Sequence, residues 1–334
     1  MPSTDRDAVT APLHVVAGIV RDGGRVFITR RHAAAHQGGM WEFPGGKLAP
    51  GEDAQQGLAR ELAEELGIVV RGARPYARIH HVYPERAVLL DVWHVTAFDG
   101  RPHGREGQEA CWREIAALRP SEFPPADRPI LRRLQLPPLY VISDATRFGR
   151  DAFPAKLERA LAAGASLIQL REPSLDDDAY RSYAHALVPL CRRYGARLLL
   201  NADPSVVAAC GADGVQLAAR RLVALSERPL APDLLIGVSC HNLAELKQAE
   251  AIEADFALLS PVNPTRSHPL AAPLGWDRFR ALCAQTHLPI YALGGLRADD
   301  VRAARDAGAV GLAMISGVWE AGDIERVVRT ALAG

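Results

Sequence analysis

Two rhythms of apolar and polar positions divide the chain. An apolar run over residues 15–20, a turn at Asp22-Gly23-Gly24 and a second run over residues 25–29 predict a β-hairpin. Residues 53–66 carry a helical pattern and end at Gly67, a residue suited to the left-handed turn that closes a helix. Further strand patterns follow, such as residues 87–97, and a last helix is expected over residues 128–134, after the Phe123-Pro124-Pro125 breaker. This half predicts a mixed sheet with one or two helices packed on it. Residues 135–138, stiffened by two prolines, read as a linker between domains at 1–134 and 139–334. Beyond it, short apolar runs alternate with helical patterns at residues 139–143, 166–171, 197–201, 214–217, 234–239, 256–261, 289–293 and 309–315. Eight such units predict a closed (β/α)8 barrel, with a doubly wound open sheet as the alternative. The fold class is α/β throughout.

Composition adds limits. At about 150 residues per domain, the 334 residues suit two domains, and 48% hydrophobic content supplies ordinary cores. Lys+Arg and Asp+Glu each number 39. With no net positive field, direct nucleic-acid binding is not expected, and a free nucleotide is the more natural partner. The five cysteines form no C-x-x-C pair, as in a reducing cytoplasm. No signal-type segment or membrane-length apolar run is present, so a cytoplasmic protein without a membrane partner is expected.

The chemistry concentrates in GGKLAPGEDAQQGLARELAEELGI, residues 45–68. On a helix, Glu61, Glu64 and Glu65 stand at i, i+3 and i+4 and share one face. Such like charges belong either to a solvated acidic face or to a site for a hard divalent cation, which prefers carboxylate oxygens. Gly45-Gly46 before the helix permits close backbone approach, and Arg60 is placed to pair with a carboxylate.

This segment fits the pattern G-x5-E-x7-R-E-U-x-E-E-x-G-U, where U is bulky and aliphatic, and thereby resembles the Nudix hydrolases. The resemblance covers residues 12–134 and follows the MutT-type branch, through VAGIVRDGGRVFITRRHAAAHQGGMWEFPGGK, GREGQEACW and FPPADRPILRRL. It implies a Nudix α/β/α mixed-sheet domain that cleaves a nucleoside diphosphate linkage with Mg²⁺, or Mn²⁺ in its place. It further implies Glu61, Glu64, Glu65, a loop glutamate at Glu106 and the Gly45 carbonyl as metal ligands. Glu52 would assist through the water network, and Arg60 would orient a catalytic carboxylate. Arg31 and His36 match positions near the phosphates and nucleoside, and Phe43 a base-site residue. For Arg31 the alternative is a surface strand residue, and for Phe43 simple core. Asp127 stands where the bacterial 8-oxo-dGTP hydrolases usually carry Asn. An ionised Asp only accepts hydrogen bonds, whereas one protonated by burial also donates.

The second half, through LYVISD, GASLIQLRE, LLLNAD, GADGVQL, IGVSCHN, ADFALLSPVNPT, YALGGL and AVGLAMIS, resembles the thiamin phosphate synthase/TenI family. The resemblance implies a TIM barrel with a ligand site at the strand C-termini. Gly294-Gly295 and Ile315-Ser316-Gly317 match its phosphate cradle, and Gln169, Arg171, Asn201, His241 and Thr265 match other ligand-facing positions. The alternative for the glycines is tight strand–helix turns. The family's metal motif reads Asn201-Ala202, its second aspartate falls at about Arg221, and its lysines are replaced at Pro173 and around His268. Asp203 is one residue out of register for the lost ligand. Synthesis of thiamin phosphate is therefore not expected. A metal-free tautomerisation using His241 as base, a structural role for that histidine, or a barrel that only binds a thiazole or pyrimidine phosphate or supports a homo-oligomer all stay open. Three functions result: a nucleotide-pool hydrolase with a passenger barrel, a thiamin-pathway bifunctional enzyme, or a hydrolase governed by a ligand-sensing barrel.

Overall fold

The computed structural model describes residues 12–265 and 272–333; the expectation at His268 lies outside them. The chain divides into two compact units, with the boundary between Gln135 and Leu136.

The first unit carries β1 (Leu13–Asp22), β2 (Arg25–Arg30), β3 (Trp41–Glu42), β4 (Gly45–Lys47), α1 (Ala54–Leu66), β5 (Val69–Val82), β6 (Ala87–Asp99), β7 (Ala110–Glu114) and α2 (Arg128–Gln135). They form a seven-stranded mixed sheet of order β3-β2-β1-β6-β5, with β4 also on β1 and β7 on β2. Only the β1–β6 pair is parallel. Strand β1 is buried on both faces, which is why it reads as a continuous apolar run. Val16 and Val20 pack under Leu58, Leu62 and Leu66 of α1. Ala17 and Ile19 meet Ile130 and Leu131 of α2 on the other side. A Cβ on Gly18 would lie 2.8 Å from Leu62 Cδ1, so that glycine lets α1 approach the sheet.

Strand β5 escaped the apolar pattern because it lies at the sheet edge. Gly72 and Pro75 interrupt it, and its register against β6 shifts three times. An edge strand tolerates a proline that a central one would not.

In the second unit, β8 (Leu139–Ile142), β9 (Leu167–Leu170), β10 (Arg197–Leu200), β11 (Gly214–Leu217), β12 (Leu235–Cys240), β13 (Phe256–Leu259), β14 (Ile290–Leu293) and β15 (Gly311–Met314) close into an all-parallel barrel. Closure through β15–β8 pairing excludes the open sheet. The interior is filled by side chains that include Tyr140, Phe256 and Tyr291, whose ring centroids stand 5.3–5.7 Å apart.

Residues 136–138, expected as a stiff linker, are part of this packing. Leu136 joins the barrel interior, Tyr291 Oη donates to the Pro137 carbonyl at 2.5 Å, and Leu312 N donates to the Pro138 carbonyl at 2.9 Å. Proline lacks a donor, yet its carbonyl accepts as well as any other. The approach is so close that a Cβ on Gly311 would lie 1.8 Å from the Pro138 oxygen. Gly311→Ala is therefore expected to destabilise the barrel by about 1–3 kcal/mol or more, read as a lower urea midpoint for its unfolding.

Candidate active site

Helix α1 is fixed at both ends. Asp53 caps its start, accepting from the backbone N–H groups of Gln55 and Gln56 at 2.9 Å, and Gly67 closes it in the left-handed conformation. The loop that bears Glu106 is stitched to its C-terminal turn. Arg105 donates from its backbone N to the Glu65 carbonyl and from Nη1 to the Ala63 carbonyl, both at 2.9 Å. That places Glu106 in the electrostatic neighbourhood of the Glu65 side chain.

Arg60 organises the carboxylates. Its Nε and Nη2 grip Glu52 bidentately at 2.9 and 2.8 Å. Its Nη1 donates to Glu61 at 2.9 Å and to Glu64 at 3.1 Å, and Nη2 also reaches the Lys47 carbonyl at 3.1 Å. This fork geometry is specific to a guanidinium. Hydrogen bonds from Arg60 and from Ala49 N hold the Glu52 carboxyl down at about 2. A Cβ at position 46 would lie 2.3 Å from the Glu61 carboxyl carbon, so a larger residue there would have to displace the Glu61 carboxylate. Gly45 has φ 154°, and a Cβ there would meet the Val16 carbonyl oxygen at 2.1 Å. Its N–H donates to Glu65 at 3.0 Å.

Glu61, Glu64 and Glu65 thus share the face that their spacing implied. They are not preassembled as a cage: among the described residues no three His, Cys, Asp or Glu side chains stand together as a ready metal site. Arg60 draws Glu61 and Glu64 one way, and the Gly45 amide draws Glu65 the other. The donor set still fits a hard divalent cation. Burial, then the nearby Glu42, Glu106 and Glu61 carboxylates, push Glu65 up to about 8 against a partly offsetting bond from Gly45. A cation is what such a group needs to stay ionised at neutral pH, and Mg²⁺ completes its shell with water instead of demanding a full protein cage.

A cavity of about 440 Å³ is lined by Gly45, Gly46 and Lys47 and also by Arg31, His36, Glu42, Phe43, Tyr83 and Asp127. Arg31 is no free surface residue: it pairs with Glu42 and donates from Nε to the His36 carbonyl at 2.9 Å. Phe43 is both core and cavity wall, 3% exposed and packed against Phe123 at 5.8 Å between ring centroids. Asp127 is 7% exposed, and burial, reinforced by Glu42, raises its carboxyl to about 8. Glu42 and Tyr83 were not singled out from the sequence. The only hint was an acid between two aromatics in Trp41-Glu42-Phe43 and an aromatic ahead of a turn proline in Tyr83-Pro84.

In the barrel, Thr265, Gly294, Gly295, Ile315, Ser316 and Gly317 line one cavity of about 760 Å³ at the strand C-termini. Gly294 and Gly295 have φ of 107° and 64°, which few other residues adopt. The remaining candidates do not line that cavity. Gln169 lies inside the barrel and donates to Tyr140 Oη at 3.2 Å, which donates on to Gln216 Oε1. Asn201 Nδ2 donates to the Gln216 carbonyl at 3.0 Å. The Arg171 backbone N–H donates to Ser143 Oγ at 2.9 Å. His241 Nδ1 faces the Ser260 carbonyl at 2.8 Å, which assigns the proton to Nδ1 and leaves Nε2 as the basic nitrogen. Asp203, the residue offset from the lost ligand, is neutralised by Arg221 at 2.9 Å. Glu172, overlooked in QLRE, is buried and accepts from Ser143, Ala145 and Thr146, fixing the turn after β8.

The sign of the Glu65 shift gives a test. A carboxyl raised from 4.5 to about 8 in the folded state costs stability as pH rises across that window. Without divalent cation, the melting temperature of the first unit should fall between those pH values. Glu65→Gln should flatten that slope, and millimolar Mg²⁺ at pH 8 should raise the wild-type melting temperature more than the variant's. Equal Mg²⁺ responses in a thermal-shift titration would remove Glu65 from the cation's donors.

Comparison with known proteins agrees with this division. Residues 15–133 match the family model described as NUDIX domain, and residues 139–318 the model described as thiamine monophosphate synthase. The 8-oxo-dGTP diphosphatase of Escherichia coli is 38% identical over 124 residues, covering 37% of this chain and 96% of that protein. The thiamine-phosphate synthase of Azorhizobium caulinodans is 34% identical over 194 residues, covering 58% of this chain and 92% of that protein. The solved structure of thiamine phosphate pyrophosphorylase from Pyrococcus furiosus aligns with a TM-score of 0.51 and 31% identity, over 58% of this chain and 92% of that one. With the carboxylate helix in one unit and the closed barrel in the other, the chain belongs to two families at once, being a MutT-like Nudix hydrolase followed by a member of the thiamine monophosphate synthase/TenI family.

Proposed function

We propose that the first unit hydrolyses 8-oxo-dGTP and related purine nucleoside triphosphates to the monophosphate and diphosphate, clearing damaged precursors from the cytoplasmic nucleotide pool. The observation that carries this reading is the single cavity lined both by buried Asp127 and by Gly45–Lys47 beside the carboxylate helix. One cavity can therefore take a base at Asp127 and a phosphate chain at α1. Similarity to the Escherichia coli 8-oxo-dGTP diphosphatase supports the same substrate class.

Glu61, Glu64, Glu65, Glu106 and the Gly45 carbonyl would hold Mg²⁺ or Mn²⁺, which when bound neutralises phosphate oxygens. The chain's own residues do the rest. Arg60 restrains Glu52, Glu61 and Glu64, which limits the rotamers the carboxylates must leave to meet a cation. Glu64, with its side chain 54% exposed, has an oxygen open to water and can take the proton of the attacking water. Phe43 offers the base a ring face, and Arg31, steadied by Glu42, offers positive charge near the phosphates.

Asp127 restores what its substitution for Asn removed. Raised to about 8, it is a neutral acid at pH 7, able to donate and accept as an amide does. The sign follows: the neutral form is lost as pH rises through that value. The ratio of kcat/KM for 8-oxo-dGTP to that for dGTP should fall between pH 7 and pH 9 in the wild type and hold steady in Asp127→Asn. No preference for 8-oxo-dGTP at pH 7 would sink the substrate assignment.

For the barrel, we propose a binding role for a thiazole or pyrimidine phosphate without synthase turnover. The Asp203–Arg221 pair supports this, because it sets a cation where a second carboxylate would be needed. The full chain should fail to rescue growth of a host lacking thiamin phosphate synthase, while lowering the mutation rate of a host lacking its 8-oxo-dGTP hydrolase. Growth of the auxotroph would overturn the inference from Ala202 and Arg221.

A further inference from the structure

Three separately anchored pieces of backbone wall the nucleotide cavity, and one side chain touches all three. Tyr83 sits at the tip of the β5–β6 hairpin, where its backbone N–H donates to the Arg86 carbonyl at 2.9 Å. Its ring meets His36, from the loop between β2 and β3, edge to face at 4.9 Å between centroids, and His81 from its own strand at 4.4 Å. Its hydroxyl accepts the backbone N–H of Ala126 at 3.4 Å. Ala126 precedes Asp127 within the single turn Pro125–Asp127. The hydroxyl therefore holds the Pro125–Ala126 peptide, one residue ahead of Asp127, whose side chain lines the cavity.

We propose that Tyr83 is a positioning residue for base recognition, acting through Ala126 on Asp127 and through His36 on the β2–β3 loop. The inference rests on the assignment of the base to Asp127's side of the cavity. Neither contact involves the carboxylate helix, so the effect belongs in binding and discrimination. Asp127 N donates to the Pro124 carbonyl at 3.0 Å, which closes the three-residue turn, and Ala126 packs among core residues of the sheet, but neither is a hydrogen bond from the turn to the β5–β6 hairpin. The Tyr83 hydroxyl supplies that bond. At 3.4 Å the bond is long, so its loss should cost a modest factor.

The test is a double-mutant cycle on the full chain with Mg²⁺, measuring kcat and KM for 8-oxo-dGTP and for dGTP. Tyr83→Phe, which keeps the ring, should raise KM for 8-oxo-dGTP about three- to tenfold with kcat nearly unchanged. In an Asp127→Ala background the same change should shift KM by less than about twofold, since the group being positioned is gone. Tyr83→Ala, which also removes the His36 contact, should raise KM for both nucleotides. An equal effect of Tyr83→Phe with and without Asp127, or a fall in kcat at constant KM, would overturn the proposal. If the wild type shows no preference for 8-oxo-dGTP, the substrate reading fails by itself, and the coupling between Tyr83 and Asp127 is still decided by the dGTP data.

Discussion

The bidentate grip of Arg60 on Glu52 is the constraint on which the hydrolase site depends. The five hydrogen bonds of that guanidinium reach Glu52, Glu61, Glu64 and the Lys47 carbonyl, so one side chain sets the loop before the helix, the helix face and strand β4. Gly46 follows from it. With Glu61 drawn toward Arg60, a Cβ at Gly46 would have to displace the Glu61 carboxylate. Repulsion among the clustered carboxylates is thereby offset on one side by a fixed cation of the protein, and on the other is left for a metal to offset.

Two buried carboxyls in this unit, Glu65 and Asp127, are both raised to about 8, with burial the leading cause in each. Their neighbourhoods give them opposite uses. Glu65 adjoins Glu61 and Glu106 and needs a cation to ionise. Asp127 has Glu42 and Arg31 beside it, and in the proposed reading it serves as a neutral donor. The proposed roles of metal ligand and base reader would follow from what surrounds each carboxyl. Glu42 adds to the rise of both, so the two ends of the cavity are electrostatically linked.

Much of this was legible in the sequence, and the failures have physical causes. The carboxylate helix could be placed because its spacing is local: i, i+3 and i+4 fix one face whatever the tertiary fold. The eight barrel strands could be counted because each is largely buried on both sides and therefore mostly apolar, with Gln169 and Gln216 as interior exceptions. Strand β5 could not, since an edge strand with Gly72 and Pro75 has no apolar rhythm to read. The two-proline segment suggested a linker because proline signals stiffness, while its carbonyls, invisible to pattern, accept from Tyr291 and Leu312. Tyr83 and Glu42 were missed for a related reason. Their meaning lies in partners 43 and 11 residues away, Ala126 and Arg31, which no spacing rule connects.

The barrel shows the reverse balance. Thr265, Gly294, Gly295, Ile315, Ser316 and Gly317 line one cavity, whereas Gln169, Asn201 and His241 are engaged in bonds of the barrel's own framework. For the proposed hydrolase the Arg60-ordered helix is the chemical centre, and its direct test is the Arg60→Lys variant. The charge is kept and the fork is lost, so Mg²⁺-dependent hydrolysis of 8-oxo-dGTP should drop in kcat by about a hundredfold while KM changes little. A variant as fast as the wild type would contradict the account.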